Sequence, residues 1–78
     1  MYADVVRAEP LNDFLLRVEL DNGRKGIFDL KPYLSYPAYW KLQNPGYFRC
    51  VRVEHGVLCW PNDEDVAPEN VEAELKES

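Results

Sequence analysis

The sequence predicts an α+β domain: a small antiparallel, meander-type sheet of about five strands packed on a helical crossover segment and a C-terminal helix. Three observations carry that expectation. Alternating apolar residues mark strands in both halves of the chain, a proline-punctuated stretch without alternation separates them, and an acidic segment containing a proline closes the sequence. With 78 residues there is room for one domain over residues 1–78, whose acidic helix or tail begins near residue 68. A chain of this size buries only about 60% of its unfolded surface, so a partner, or self-association, would add burial that the small core lacks. Hydrophobic content of 46% and aromatic content of 13% are still enough for a packed core.

The first strand is the β-branched run "ADVVRAE", followed by the connection "PLND". In "FLLRVEL", Phe14, Leu16, Val18 and Leu20 alternate with Leu15, Arg17 and Glu19, the period of a half-buried strand with one wet face. Asp21-Asn22-Gly23 then predicts a type I′ hairpin turn, because Asn and Gly both tolerate positive φ, and "RKGIFD" becomes the third strand of a meander. From Leu30 to Phe48 three prolines and the loss of alternation predict a crossover of short helical turns. Ser35 is placed to cap a helix near Pro37, Tyr39 and Leu42 to face the sheet, and Asn44-Pro45-Gly46 to end the segment. "CVRVE" and "VLCW" follow as strands joined at His55-Gly56. A two-residue turn there pairs Val53 with Leu58 and Val51 with Trp60.

In "CWPNDEDVAP" three carboxylates stand in a row between two prolines. Pro61 cannot donate a ladder hydrogen bond, so the strand ends at Trp60. Asn62 and Asp63 are turn formers, and Pro68 opens a helix whose N-terminus welcomes nearby carboxylates. "PENVEAELKES" is then a terminal helix burying Val71 and Leu75.

Charge is unevenly spread beneath the net −5. Residues 1–60 hold eight Lys or Arg against seven Asp or Glu, whereas residues 61–78 hold Lys76 against seven acids. This balance disfavours direct nucleic-acid binding, which draws on Lys and Arg at phosphates, and suits a basic protein partner better. No signal peptide and no membrane span is expected, since no basic region precedes an apolar stretch and no window of eighteen uncharged apolar residues exists. The expected compartment is the cytoplasm, with Cys50 and Cys59 reduced.

Enzymatic chemistry is not expected. Asp63, Glu64 and Asp65 are contiguous without the alternating ligands and glycine of a calcium loop. Cys50, His55 and Cys59 are too few and wrongly spaced for zinc, and a histidine on a turn lacks the orienting partner of a Cys/His nucleophile. The four glycines stand singly, so no phosphate loop forms. No cofactor, no metal and no catalytic residue is assigned. Candidate partner-binding residues are Tyr36 and Trp40, four apart on the crossover, and Glu69, Glu72 and Glu74 of the acidic helix. Tyr and Trp offer apolar area with a polar handle, and charge at a rim steers encounter.

The Val-rich first strand, "LLRVELDNGRKGIFDLKPYL", Tyr39 with Leu42, Phe48 and "VRVEHGVLCWPNDEDVAPENV" together resemble the bacterial domain of unknown function family 2442, over residues 3 to 71. The most specific part is Trp60-Pro61-Asn62 with Asp65-Val66-Ala67-Pro68. Asp21-Asn22-Gly23 and Phe28-Asp29-Leu30 support it. Where that family usually has a glycine after Trp-Pro-Asn, this chain has Asp63, which implies a different turn type. The resemblance implies a small α+β bacterial protein without catalytic residues. Members are often encoded beside another small protein of unknown function, family 4160, in pairs suggested to be toxin and antitoxin. Some continue into a DNA-binding helix-turn-helix domain; with no such extension expected after Ser78, a stand-alone DNA-binding role is not expected. The expected role is a non-catalytic interaction protein, the antitoxin-like member of such a pair. The alternative is a sensory or dimerisation module of a regulatory system without its own DNA-binding domain.

Overall fold

The structure, a computed structural model, describes residues 3–77. Strands β1 (Val5–Pro10), β2 (Leu15–Leu20) and β3 (Lys25–Asp29) form the expected antiparallel meander. Leu16, Val18 and Leu20 bury completely while Arg17 stays in water. Val6 is the extra residue of a bulge, since Val5 opposes Leu20 but Arg7 opposes Glu19, and its side chain is exposed. Phe14 lies just before β2, in a tight 3-10 turn (Asn12–Phe14) where Asp13 and Phe14 have φ of 61° and 59°. Its ring meets Phe48 edge-on at 5.3 Å.

The β2–β3 turn is not the expected type I′. Only Gly23 has positive φ, at 89°; the loop is the three residues Asp21–Gly23, closed by Leu20 N–H to Arg24 O at 2.8 Å and Gly23 N–H to Leu20 O at 3.1 Å. This is the hairpin in which a glycine in the left-handed region forms a bulge. Register explains it. A two-residue Asn22-Gly23 turn would set Phe28 opposite Arg17 on the wet face, whereas the three-residue loop sets Phe28 opposite Leu16, where it is fully buried.

The crossover is a run of short turns, as expected: 3-10 segments Lys31–Tyr33 and Pro37–Gln43, then helix α1 (Pro45–Phe48). Ser35 does not cap. The residue before Pro37 is Tyr36, whose backbone is extended (φ −85°, ψ 135°) as the proline ring requires, and no side chain caps that segment. The working cap is Asn44, which ends the 3-10 helix and starts α1, its Oδ1 accepting from Gly46 N–H at 2.8 Å and Tyr47 N–H at 3.4 Å.

The later strands form a second sheet and do not extend the first, so the expected sheet of about five strands is, among the described residues, two antiparallel sheets of four and three. β4 (Arg52–Glu54) and β5 (Val57–Cys59) turn through His55 (φ 53°) and Gly56 (φ 80°), and Val53 opposes Leu58. The type I′ turn therefore sits here, at the two-residue loop whose strand twist needs it. Gly56 O accepts from Val5 N–H at 3.0 Å, linking the two sheets.

β6 (Asp65–Val66) pairs with β5 after the loop Pro61–Asp63. That loop repeats the Asp21–Gly23 geometry: Trp60 N–H to Glu64 O at 2.9 Å, Asp63 N–H to Trp60 O at 3.0 Å, and φ of 70° at Asp63. Asp63 takes up the left-handed conformation here, which Asp tolerates better than most residues.

Pro68 opens α2 (Pro68–Glu74), which buries Val71, and Leu75 is buried just beyond it. The helix does not run on as expected. Leu75 is extended (φ −65°, ψ 129°), and Lys76–Glu77 form β7 beside β3, giving the order β1-β2-β3-β7. The sheets, crossover and α2 enclose one core around Leu16, Phe28, Leu42, Leu58, Trp60 and Val71, each 0% exposed.

Candidate interaction surface

The 3-10 helix Pro37–Gln43 is pinned on one side. Leu42 is buried, the Tyr39 ring meets Tyr33 edge-on at 5.5 Å, the Tyr39 hydroxyl donates to Asp65 O at 2.8 Å, and Gln43 Nε2 donates to Leu34 O at 2.8 Å. Tyr36, just before this helix, and Trp40, within it, are 58% and 61% exposed; with Val6 they are the large apolar residues left in water among the described residues. The two do not share a helix face as expected, because Tyr36 precedes the helix with an extended backbone and only Trp40 lies within it.

The acidic helix divides into free and engaged residues. Glu69 is exposed. Glu72 is half-buried and structural: Oε1 accepts from Ala3 N–H at 3.2 Å, and Oε2 from Asn22 Nδ2 at 3.1 Å and from Arg24 at 3.5 Å. Glu74 accepts the Tyr33 hydroxyl at 2.8 Å, and Glu77 pairs with Arg24 at 3.1 Å. Two of the three glutamates assigned to a partner thus tie α2 to the first sheet and the crossover.

From the sequence, the carboxylates at residues 63–65 belong to turn and helix-start chemistry. In the structure they form one wall of an open groove of about 360 Å³, opposite Ala38, Tyr39 and Lys41 of the 3-10 helix. Glu64 is held there by the Tyr47 hydroxyl at 2.6 Å, and that hydroxyl in turn accepts from Asn62 N–H at 2.9 Å. Three carboxylates in a row were the available signal. Their approach to the 3-10 helix comes from the β5–β6 turn, which no local spacing reveals.

Tyr33, Tyr39 and Tyr47 all have phenol pKa values raised above the ordinary tyrosine value. Burial is the largest cause in each, followed by the Glu74, Asp65 and Glu64 carboxylates respectively. An acid whose folded pKa is raised loses its proton more readily unfolded, so its contribution is complete below the unfolded value near about 10 and drains as pH climbs past it. The melting temperature is expected to fall steeply above about pH 10, and Tyr33→Phe should flatten that fall. A variant whose alkaline profile overlays the parent's would show that the Tyr33–Glu74 pair contributes nothing.

Cys50 and Cys59 are free thiols; Cys59 lies opposite Arg52, while Cys50 sits before β4, its Sγ 3.5 Å from Gly46 O. Among the described residues no three His, Cys, Asp or Glu side chains gather where a metal could be held, and no helix is long and apolar enough to cross a membrane. A family model described as "Protein of unknown function (DUF2442)" matches residues 5–77. No curated protein and no solved structure matches the chain.

Proposed function

The chain belongs to the DUF2442 family, and from that premise we propose that it is a non-catalytic protein-interaction domain of the bacterial cytoplasm, the antitoxin-like member of a two-gene pair. The observation that carries this is the placement of Tyr36 and Trp40. Trp40 on the 3-10 helix and Tyr36 immediately before it are both more than half exposed, while Leu42, Tyr39 and Gln43 lock that helix in place. A rigid mount lets large aromatics bury area on a partner with little loss of conformational freedom. The acidic C-terminal residues favour a basic partner, with Glu69 as the free steering charge.

The product of the adjoining small gene, purified and immobilised, is the test. Tyr36→Ala with Trp40→Ala should hasten dissociation about tenfold, within the range for truncating central aromatics, while leaving the melting temperature unchanged. Glu69→Lys should slow association at low salt only. No binding by the parent protein, or equal dissociation by the double variant, would end this proposal.

A further inference from the structure

We infer that the cavity between the β1–β2 turn and α1 binds a free amino acid with an apolar side chain. The cavity has a volume of about 210 Å³ and shares no lining residue with the aromatic surface, so the inference stands whether or not Tyr36 and Trp40 meet a partner. Phe48, 2% exposed, forms its floor, and Leu11, Phe14 and Pro45 form its apolar walls. Asn12, Asp13 and Arg49 complete the lining. Arg49 Nη2 donates to Asn12 Oδ1 at 3.2 Å, which holds the guanidinium against the turn, and Asp13 is the next residue in the chain. A cation and an anion therefore stand on one rim. Neither has an ion-pair partner among the described residues, and they do not pair with each other. Opposite charges brought close without closing on one another match a molecule that carries both signs, its carboxylate on Arg49 and its ammonium on Asp13.

The backbone holds this rim in place before any ligand arrives. Asp13 and Phe14 have left-handed φ of 61° and 59°, a conformation that a bulky residue keeps only where its surroundings enforce it. Here they do. Phe14 O accepts from Leu30 N–H at 3.0 Å, the Phe14 ring meets Phe48 edge-on, and Leu11 N–H donates to Leu15 O at 2.8 Å. Across the cavity Asn44 caps α1, and Arg49 N–H closes that helix on Pro45 O at 3.1 Å. A preformed site loses little freedom on binding, which lets a ligand of few atoms be held at all. The two charges then select the class. Arg49 repels a plain amine, Asp13 repels a plain carboxylic acid, and an uncharged hydrocarbon leaves both without a partner. The volume takes the side chain of a leucine or phenylalanine and is too small to enclose a nucleotide or a larger cofactor.

The test titrates leucine, N-acetyl-leucine, leucinamide and glycine into the full chain while backbone amide shifts are followed by NMR. Leucine at millimolar concentration should give saturable shifts in residues 11–14 and 46–49 together. Removing its ammonium by acetylation or its carboxylate by amidation should weaken binding about tenfold each, the usual loss of one charge-assisted hydrogen bond. Glycine, without an apolar side chain, should not bind. Arg49→Gln should bring leucine down to the affinity of leucinamide, and Asp13→Asn should bring it down to that of N-acetyl-leucine. Both positions are exposed and asparagine tolerates the left-handed φ of position 13, so the melting temperature should hold. Tighter binding of N-acetyl-leucine or of leucinamide than of leucine would mean that the cavity takes the terminal residue of a peptide, and would overturn the free amino acid. No saturable shift with any of the four, shifts centred away from the cavity, or variants that weaken every ligand alike would overturn the site itself.

Discussion

Trp60→Ala is expected to destabilise the protein by about 3 to 5 kcal/mol, the usual cost of deleting a large aromatic from a packed interior. Trp60 is the largest of the fully buried side chains, and it does two jobs at once. Its indole fills the space between the second sheet and the crossover, and its Nε1 donates to Phe48 O at 2.9 Å inside the core. The alanine variant therefore leaves a cavity and removes the shorter of two hydrogen bonds to Phe48 O, which keeps only Val51 N–H at 3.3 Å. Small domains are stable by about 5 to 15 kcal/mol, so much of this variant should be unfolded at ambient temperature. Trp60→Phe keeps most of the ring volume and loses the hydrogen bond, and should fall between the alanine variant and the parent. Asp63→Asn, in the same turn but exposed, should change stability by no more than about 0.5 kcal/mol. Urea unfolding of the three variants checks the order. If Trp60→Ala keeps the parent's midpoint and slope, Trp60 is not the keystone its burial indicates.

Trp60 was legible as core because a strand of alternating residues leads into it and Pro61 stops that strand. The same holds for Leu16, Val18 and Leu20, where three inward positions in a row make the period unmistakable. A two-residue strand shows no period, which is why Asp65–Val66 and Lys76–Glu77 could not be read as β6 and β7. Both are fixed by what they meet, Leu58 and Cys59 for one, Gly26 and Ile27 for the other. Turn residues were legible as turns but not as types. Asn22-Gly23 fits a type I′ turn and a three-residue bulged loop equally, and the choice falls to the burial of Phe28 some residues away. At the candidate interface the exposure of Tyr36 and Trp40 follows from Tyr39 and Leu42 taking the core side. The fates of Glu72 and Glu74 do not follow from helix spacing, because their partners Asn22, Arg24 and Tyr33 lie about 40 to 50 residues away in sequence.

Gly26→Ala is expected to cost about 1 to 3 kcal/mol, the range for forcing an extra group into filled space, although on composition alone glycine in a strand is the weaker residue. Gly26 lies in β3 between Val18 on one side and Glu77 on the other. A Cβ there would come within 2.2 Å of Lys76 O and 2.7 Å of the Glu77 Cα, both backbone atoms that no rotamer change can move. β7 would have to leave the sheet edge, releasing the Arg24–Glu77 contact and loosening the path by which Leu75 reaches the core. The cost should therefore belong to β7 and not to β3. In a chain ending at Leu75 the obstructing atoms are gone, and Gly26→Ala should become neutral or stabilise by about 0.4 to 1 kcal/mol through a less flexible unfolded state. A double-mutant cycle between the substitution and the truncation, read by urea unfolding, should then give a coupling of at least about 1 kcal/mol. Equal cost in both backgrounds would mean that the glycine answers to something in β2 or β3, and that β7 is a passenger on the sheet and not the reason position 26 has no side chain.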